Sequence, residues 1–319
     1  MALWILISLI VFFLPNILTT SFVIIVSLKK SLISAEFRWF IINVACLDLV
    51  FSLTQTYQIY LSIPKVLRPE EGSVPCLVFG YITSISPPLM IMALLPLSLC
   101  RYIRLHKEFF YNTYFTPITV PVMVLIYDGL IIGMFLSLMI MHQMLYAPMS
   151  GVSLCRISGF ANSGPFFNAH FLFLLGMVFG CFAVISFCSW KVYKKLKEQR
   201  VSILNSQQQR NRLKRNKELL VLTVAQTITT LVIQVPIFVV LPLRVIAGIQ
   251  VPMLLEETFL ALLYLVPVSD SCFTICIVGQ YRKSAKSFWK CLKNKKLRLS
   301  ENTRNNLYTD GKEFVFRKR

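Results

Sequence analysis

Three carboxylates stand inside long apolar runs of this chain: Asp48, Asp128 and Asp270. An ionisable group in hydrocarbon is costly, so each needs either a buried polar partner or a function. Catalysis would ask for more, namely paired groups at one depth with a nucleophile or base beside them. No His-rich or Ser/His set accompanies the three acids. The nine cysteines form no CxxC pair and no Cys/His cluster. Neither an enzyme nor a metal or cofactor site is therefore expected.

The elements that must hold these acids are membrane helices. The chain has 319 residues, 56% in the hydrophobic set and 15% charged. That is too apolar for a soluble fold and suits a polytopic membrane protein. Seven apolar segments follow one another, at about 3–28, 39–63, 77–101, 117–141, 166–190, 219–243 and 254–278. Each is long enough to span with some tilt. The run from Met1 to Leu28 has no positive charge ahead of it and exceeds a signal-peptide core, so a retained first helix is expected. No internal repeat suggests the paired halves of a transporter.

The net charge of +19 lies in the gaps between segments rather than along a groove, so nucleic acid is not the expected partner. Of the 33 Lys and Arg residues, all but Lys65, Arg68, Arg156 and Arg244 fall on one side of a seven-span topology. The positive-inside rule then puts the N-terminus outside and the C-terminus in the cytosol. The basic fringe suits an anionic inner membrane surface.

Three motifs share this register. Segment two holds Asn43-Val44-Ala45-Cys46-Leu47-Asp48-Leu49. Segment three runs from Cys76 to Cys100-Arg101-Tyr102 with no charge over residues 77–100. A helix of that length covers roughly 37 Å, against about 30 Å of hydrocarbon and about 40–45 Å of full bilayer. Segment seven ends Val266-Pro267-Val268-Ser269-Asp270-Ser271, and Tyr281-Arg282-Lys283 follows. Together they resemble the rhodopsin-like seven-transmembrane G-protein-coupled receptors: an all-α seven-helix bundle with an amphipathic eighth helix on the inner face. The chain departs from that pattern in several places. Arg101 lacks its acidic neighbour, Gln234 stands where a tryptophan often precedes Pro236, and Ser271 and Thr274 replace the proline and tyrosine after Asp270. These modified forms look most like nematode chemosensory receptors of the str superfamily, with class d closest.

The resemblance implies roles. Asp48 would line a water- and sodium-containing cavity that collapses on activation, or act as a packing carboxylate. Arg101 and Tyr102 would meet a heterotrimeric G protein; a snorkelling interfacial arginine would explain Arg101 but neither the tyrosine nor the spacing. Pro236 would be the hinge of segment six, and Asp270 the acid of segment seven. Outside, Cys76 and Cys155 would be joined by a disulfide, as an oxidising compartment favours. A small odorant or pheromone would bind among Thr83, Ser84, Pro87, Gln234, Phe238, Glu257, Leu260 and Tyr264, although such side chains are commonly packing residues. A cationic ligand would have to use Glu256 or Glu257. Shifting a receptor from mostly off to mostly on needs about 5.5 kcal/mol of differential affinity. A nematode chemoreceptor would sit in the plasma membrane, in a sensory cilium.

Several residues keep two readings. Asn16 beside Pro15 packs or hydrogen-bonds a neighbouring helix. Asp128 makes an interhelical hydrogen bond or, less expected, meets ligand. His170 is interfacial or meets ligand. Gly176 and Gly180 form a GxxxG that would allow close packing. The basic stretch from Lys191 to Lys217, expected to extend segments five and six as helix, serves topology, lipid headgroups and docking alike. Residues Tyr281 to Lys293 read as an amphipathic helix, with Cys291 palmitoylated or a free thiol. Residues 1–293 form the receptor domain and 294–319 a basic, disordered tail. The rival classes are a seven-helix ligand-gated channel, whose N-terminus would lie inside, and a transporter.

Overall fold

The computed structural model describes residues 13–29, 35–62, 73–141, 144–148, 155–160, 165–202, 207–245, 258, 262–263 and 265–290. Its helices are α1 (Leu14–Leu28), α2 (Ala35–Ser62), α3 (Val74–His106), the short α4 (Glu108–Tyr114), α5 (Thr119–Met141), α6 (Pro165–Ser202), α7 (Gln207–Val245), α8 (Leu265–Ile277) and α9 (279–290). All seven expected segments appear, as α1, α2, α3, α5, α6, α7 and α8. Five carry stretches long and apolar enough to cross a membrane, Phe37–Tyr57, Cys76–His106, Thr119–Met141, Pro165–Gln199 and Leu213–Val240. The described parts of the first and seventh, Leu14–Leu28 and Leu265–Ile277, are shorter apolar helices.

Packing explains the arrangement. Helix α3 runs through the middle, against α2, α6, α5 and α7, while α1 and α8 close the bundle against α2 and each other. Toward the Arg101 end, Val26, Phe37, Leu97, Cys100, Tyr111, Leu219 and Tyr281 form one buried cluster. Toward the middle, Leu89, Met92, Ile131, Val178 and Phe182 form another. The large apolar side chains left outside, such as Leu125 and Phe173, face outward from the bundle, where lipid rather than water is the solvent.

Two helices run well past the length a bilayer needs. Helices α6 and α7 have 38 and 39 residues, so each reaches roughly 57 Å, well beyond a bilayer. The lysines and arginines of 191–217 therefore ride on continuous helix at the Arg101 end, as the sequence suggested. Gly176 and Gly180, by contrast, pack against nothing: a Cβ at either would meet no atom within 4 Å. Their GxxxG lies on an outer face of α6, so the close-packing expectation does not hold among the described residues.

Helix α3 contains Pro87, Pro88 and Pro96 and still continues to His106. Proline lacks the N–H that would bond the carbonyl four residues back. For Pro96 that carbonyl belongs to Met92, and the Tyr127 hydroxyl of α5 donates to it at 3.0 Å. A neighbouring helix thus supplies the missing donor. Beyond the Cys76 end lies an antiparallel hairpin that the sequence reading did not foresee. It pairs β1 (Met144–Pro148) with β2 (Cys155–Phe160), with an irregularity between Leu145 and Tyr146. Both strands pack against α3.

Candidate functional site

Arg101 is 5% exposed, deep between α3 and α7. Its guanidinium donates to the Leu219 carbonyl and to the Thr223 hydroxyl, both on α7. Thr223 in turn donates to Leu219 at 3.1 Å, so one side chain both accepts from the arginine and ties to its own helix. The missing acid before Arg101 is thus replaced by neutral acceptors on another helix. Tyr102, half-buried, does not join them; it stacks on His106 at 4.5 Å and packs against Val192, Leu196 and Leu220.

Further into the bundle, Asp48 and Asp270 are 1% and 3% exposed and line one cavity. Ala45, Leu97, Gln226 and Thr274 are among its other walls. Its volume is about 10 Å³, room for a species near the size of one water. One carboxylate oxygen of each acid has no protein partner. Around the cavity a polar chain links three helices: Asn16 donates to Ser52, Thr20 donates to Asn16 at 2.9 Å, and Thr20 and Ser271 share a bond of 2.8 Å. Ser271, the replacement for the usual proline, thus ties α8 to α1. Thr274, the replacement for the tyrosine, lines the cavity instead.

Asp128 lies apart from this pair, on α5 facing Asn43 of α2. The three membrane acids therefore fall in two places, and among the described residues no group of His, Cys, Asp or Glu could hold a metal ion.

The body of α7 and the start of α9 meet at a second polar contact. The Gly279 amide donates to the Glu218 carboxylate at 3.0 Å. This is an amide of the first turn of α9, where an anion is favoured. A Cβ on residue 279 would sit 3.3 Å from both carboxylate oxygens, so glycine permits this approach. Two residues on, the buried Tyr281 hydroxyl meets Ser27 of α1 at 2.5 Å. Burial pushes that phenol above its ordinary pKa, with the Ser27 bond opposing.

The expected ligand residues are only partly gathered. Thr83 accepts from the Gln55 amide at 3.1 Å, Ser84 donates to the Gly80 carbonyl of its own helix at 2.8 Å, and Pro87 is buried. Gln234 is fully buried, with neither amide atom bonded to protein. Phe238, one turn further along α7, packs on the Leu89–Phe182 cluster. Glu257, Leu260, Tyr264 and Cys291 lie outside the described residues, as does the tail 294–319. Pro236 sits inside α7, which continues through it. Cys76 is fully buried near the start of α3; Cys155 opens β2, and its side chain is outside the described residues.

Sequence reasoning missed Thr223, Leu219, Glu218 and Gly279. The only signal for Thr223 was its position on the inner part of segment six, where a hydroxyl can face α3.

The sequence matches the 7 transmembrane receptor (rhodopsin family) over residues 3–274, and the chain belongs to that family of rhodopsin-like G-protein-coupled receptors. Its fold is similar to the crystal structure of squid rhodopsin, with a TM-score of 0.70 over 88% of this chain and 82% of that one, at 16% identity. No curated protein matches in sequence.

Proposed function

We propose that this receptor is chemosensory: it lies in the plasma membrane with its N-terminus outside and its tail in the cytosol, binds a small, mostly neutral organic molecule among the outer helix halves, and activates a heterotrimeric G protein at the Arg101 end. The observation that carries the reading is the hold of α7 on Arg101. Thr223 is 13 residues from Pro236, a lever of roughly 20 Å. A bend of about 10° at the proline moves its end by about 3 Å, enough to break a hydrogen bond. Arg101 and Tyr102 would then be released to a docking partner, while the Asp48–Asp270 cavity between α2 and α8 rearranges.

On the ligand side, the buried Gln234 amide supports the reading, because a polar group without a partner is costly until something satisfies it. Phe238 and the Thr83–Pro87 stretch would form adjoining walls, completed by Glu257, Leu260 and Tyr264. The Cys76–Cys155 bridge would fix the hairpin over the ligand's entrance. In support, Cys76 is not a free thiol, and β2, which begins at Cys155, packs on α3. Cys291 would anchor α9 by palmitoylation, and membrane lipid would meet the basic tail.

The test is a panel of neutral volatile and water-soluble odorants read by G-protein dissociation. An agonist should be found whose response falls in Gln234→Leu and vanishes in Arg101→Ala at equal surface expression. Full signalling by Arg101→Ala would remove the proposed coupling role.

A further inference from the structure

A second small cavity opens beside Arg101, walled by Phe37, Arg101, Arg104, Val192, Asn216 and Leu219. Two guanidiniums reach the same aromatic ring there: those of Arg101 and Arg104 lie 5.9 and 5.1 Å from the Phe37 centroid. Arg104 also lies over Tyr111 of α4 at 5.4 Å. No carboxylate among the described residues pairs with either arginine. Nε and one terminal nitrogen of the 95%-buried Arg101, and one terminal nitrogen of Arg104, have no hydrogen-bond partner. The π face of Phe37 and the two acceptors on α7 offset only part of the cost of burying this charge. Asn216 adds an amide that can donate.

We propose that this cavity is a binding site for a small monovalent anion of the chloride class. Chemistry selects the sign: the walls offer guanidinium and amide donors, two positive charges and an apolar rim. Size selects the class. The cavity measures about 10 Å³, near the threshold for one water; a halide, roughly twice the volume of a water-sized probe, enters with a small shift of the partly exposed Arg104 side chain, whereas a phosphate or a lipid headgroup is several times too large. An anion here bridges Arg101 and Arg104 on α3 to Asn216 on α7, and so stabilises the arrangement in which α7 lies against α3. Binding itself does not depend on the signalling role proposed above.

The experiment is thermal unfolding of the full-length receptor in lipid nanodiscs, titrated with sodium chloride against sodium gluconate at fixed ionic strength. Chloride should raise Tm saturably, with half-effect in the millimolar range and a total shift of about 2–4 °C. Bromide should reproduce the shift and inorganic phosphate should not. Arg104→Gln should abolish the chloride-dependent part, and Asn216→Ala should weaken it. Equal Tm in chloride and gluconate throughout would overturn the site without any variant being needed. So would a stabilisation produced by phosphate but not by halide, or a chloride response unchanged in both variants.

Discussion

Thr223 and Arg101 are joined across the α3–α7 boundary, the guanidinium donating and the threonine hydroxyl accepting. A hydrogen bond to a charged group contributes about 1.5–3 kcal/mol, so losing it shifts a closed-to-open ratio by about tenfold or more. Thr223→Ala should therefore raise ligand-free nucleotide exchange on the G protein, while Thr223→Ser stays near the parent. Unchanged basal exchange in the alanine variant would show that something else holds α7 in place.

Glu218 and Gly279 form a separate tie between α7 and α9. Glu218→Ala removes the acceptor of a helix-end amide, a loss of about 1 kcal/mol. Basal exchange should rise and Tm fall. Gly279→Ala should act in the same direction, because its methyl would press on both carboxylate oxygens at 3.3 Å. A wild-type Tm for both variants would mean the contact carries no energy.

Asp48 and Asp270 share one cavity, so their substitutions should not add. Asp48→Asn, Asp270→Asn and the double variant form a cycle whose interaction energy should be about 0.5–3 kcal/mol, read as Tm or as agonist potency. Strict additivity would place the two acids in independent environments. Asp128→Asn, on the other side of α2, should be additive with either.

Cys76→Ser and Cys155→Ser should each lower surface expression, and the double variant should do no worse than either. Losses that accumulate would mean that the two cysteines are not one bridge.

Much of this was legible in the sequence because membranes leave few options. With no water in the hydrocarbon, every backbone group must bond within a helix, so seven apolar runs could be read directly as α1 to α8 with α4 as a short insert. Asp48 and Asp270 were legible for a related reason: an acid among Leu and Val must have a purpose. Their meeting across one cavity was not, since it depends on the rotation of α2 against α8. Thr223 was hidden because a threonine in an apolar helix usually bonds its own backbone, as Thr227 does to Thr223. Only the placement of Arg101 gives this one a further partner. Glycine misled in the other direction: spacing cannot tell a face turned to a neighbour from one turned to lipid, so Gly176 and Gly180 suggested a contact that no described residue makes.

The bond from Tyr127 to Met92 makes α3 depend on a residue 35 positions away in the chain. Deleting the hydroxyl alone, as Tyr127→Phe does, strands a carbonyl in a dry interior. Pro96→Ala lets the helix close its own ladder, and the same hydroxyl then becomes dispensable. The acceptability of Tyr127→Phe is therefore set by the residue at 96, so the order in which these two positions change decides whether the second change is tolerated.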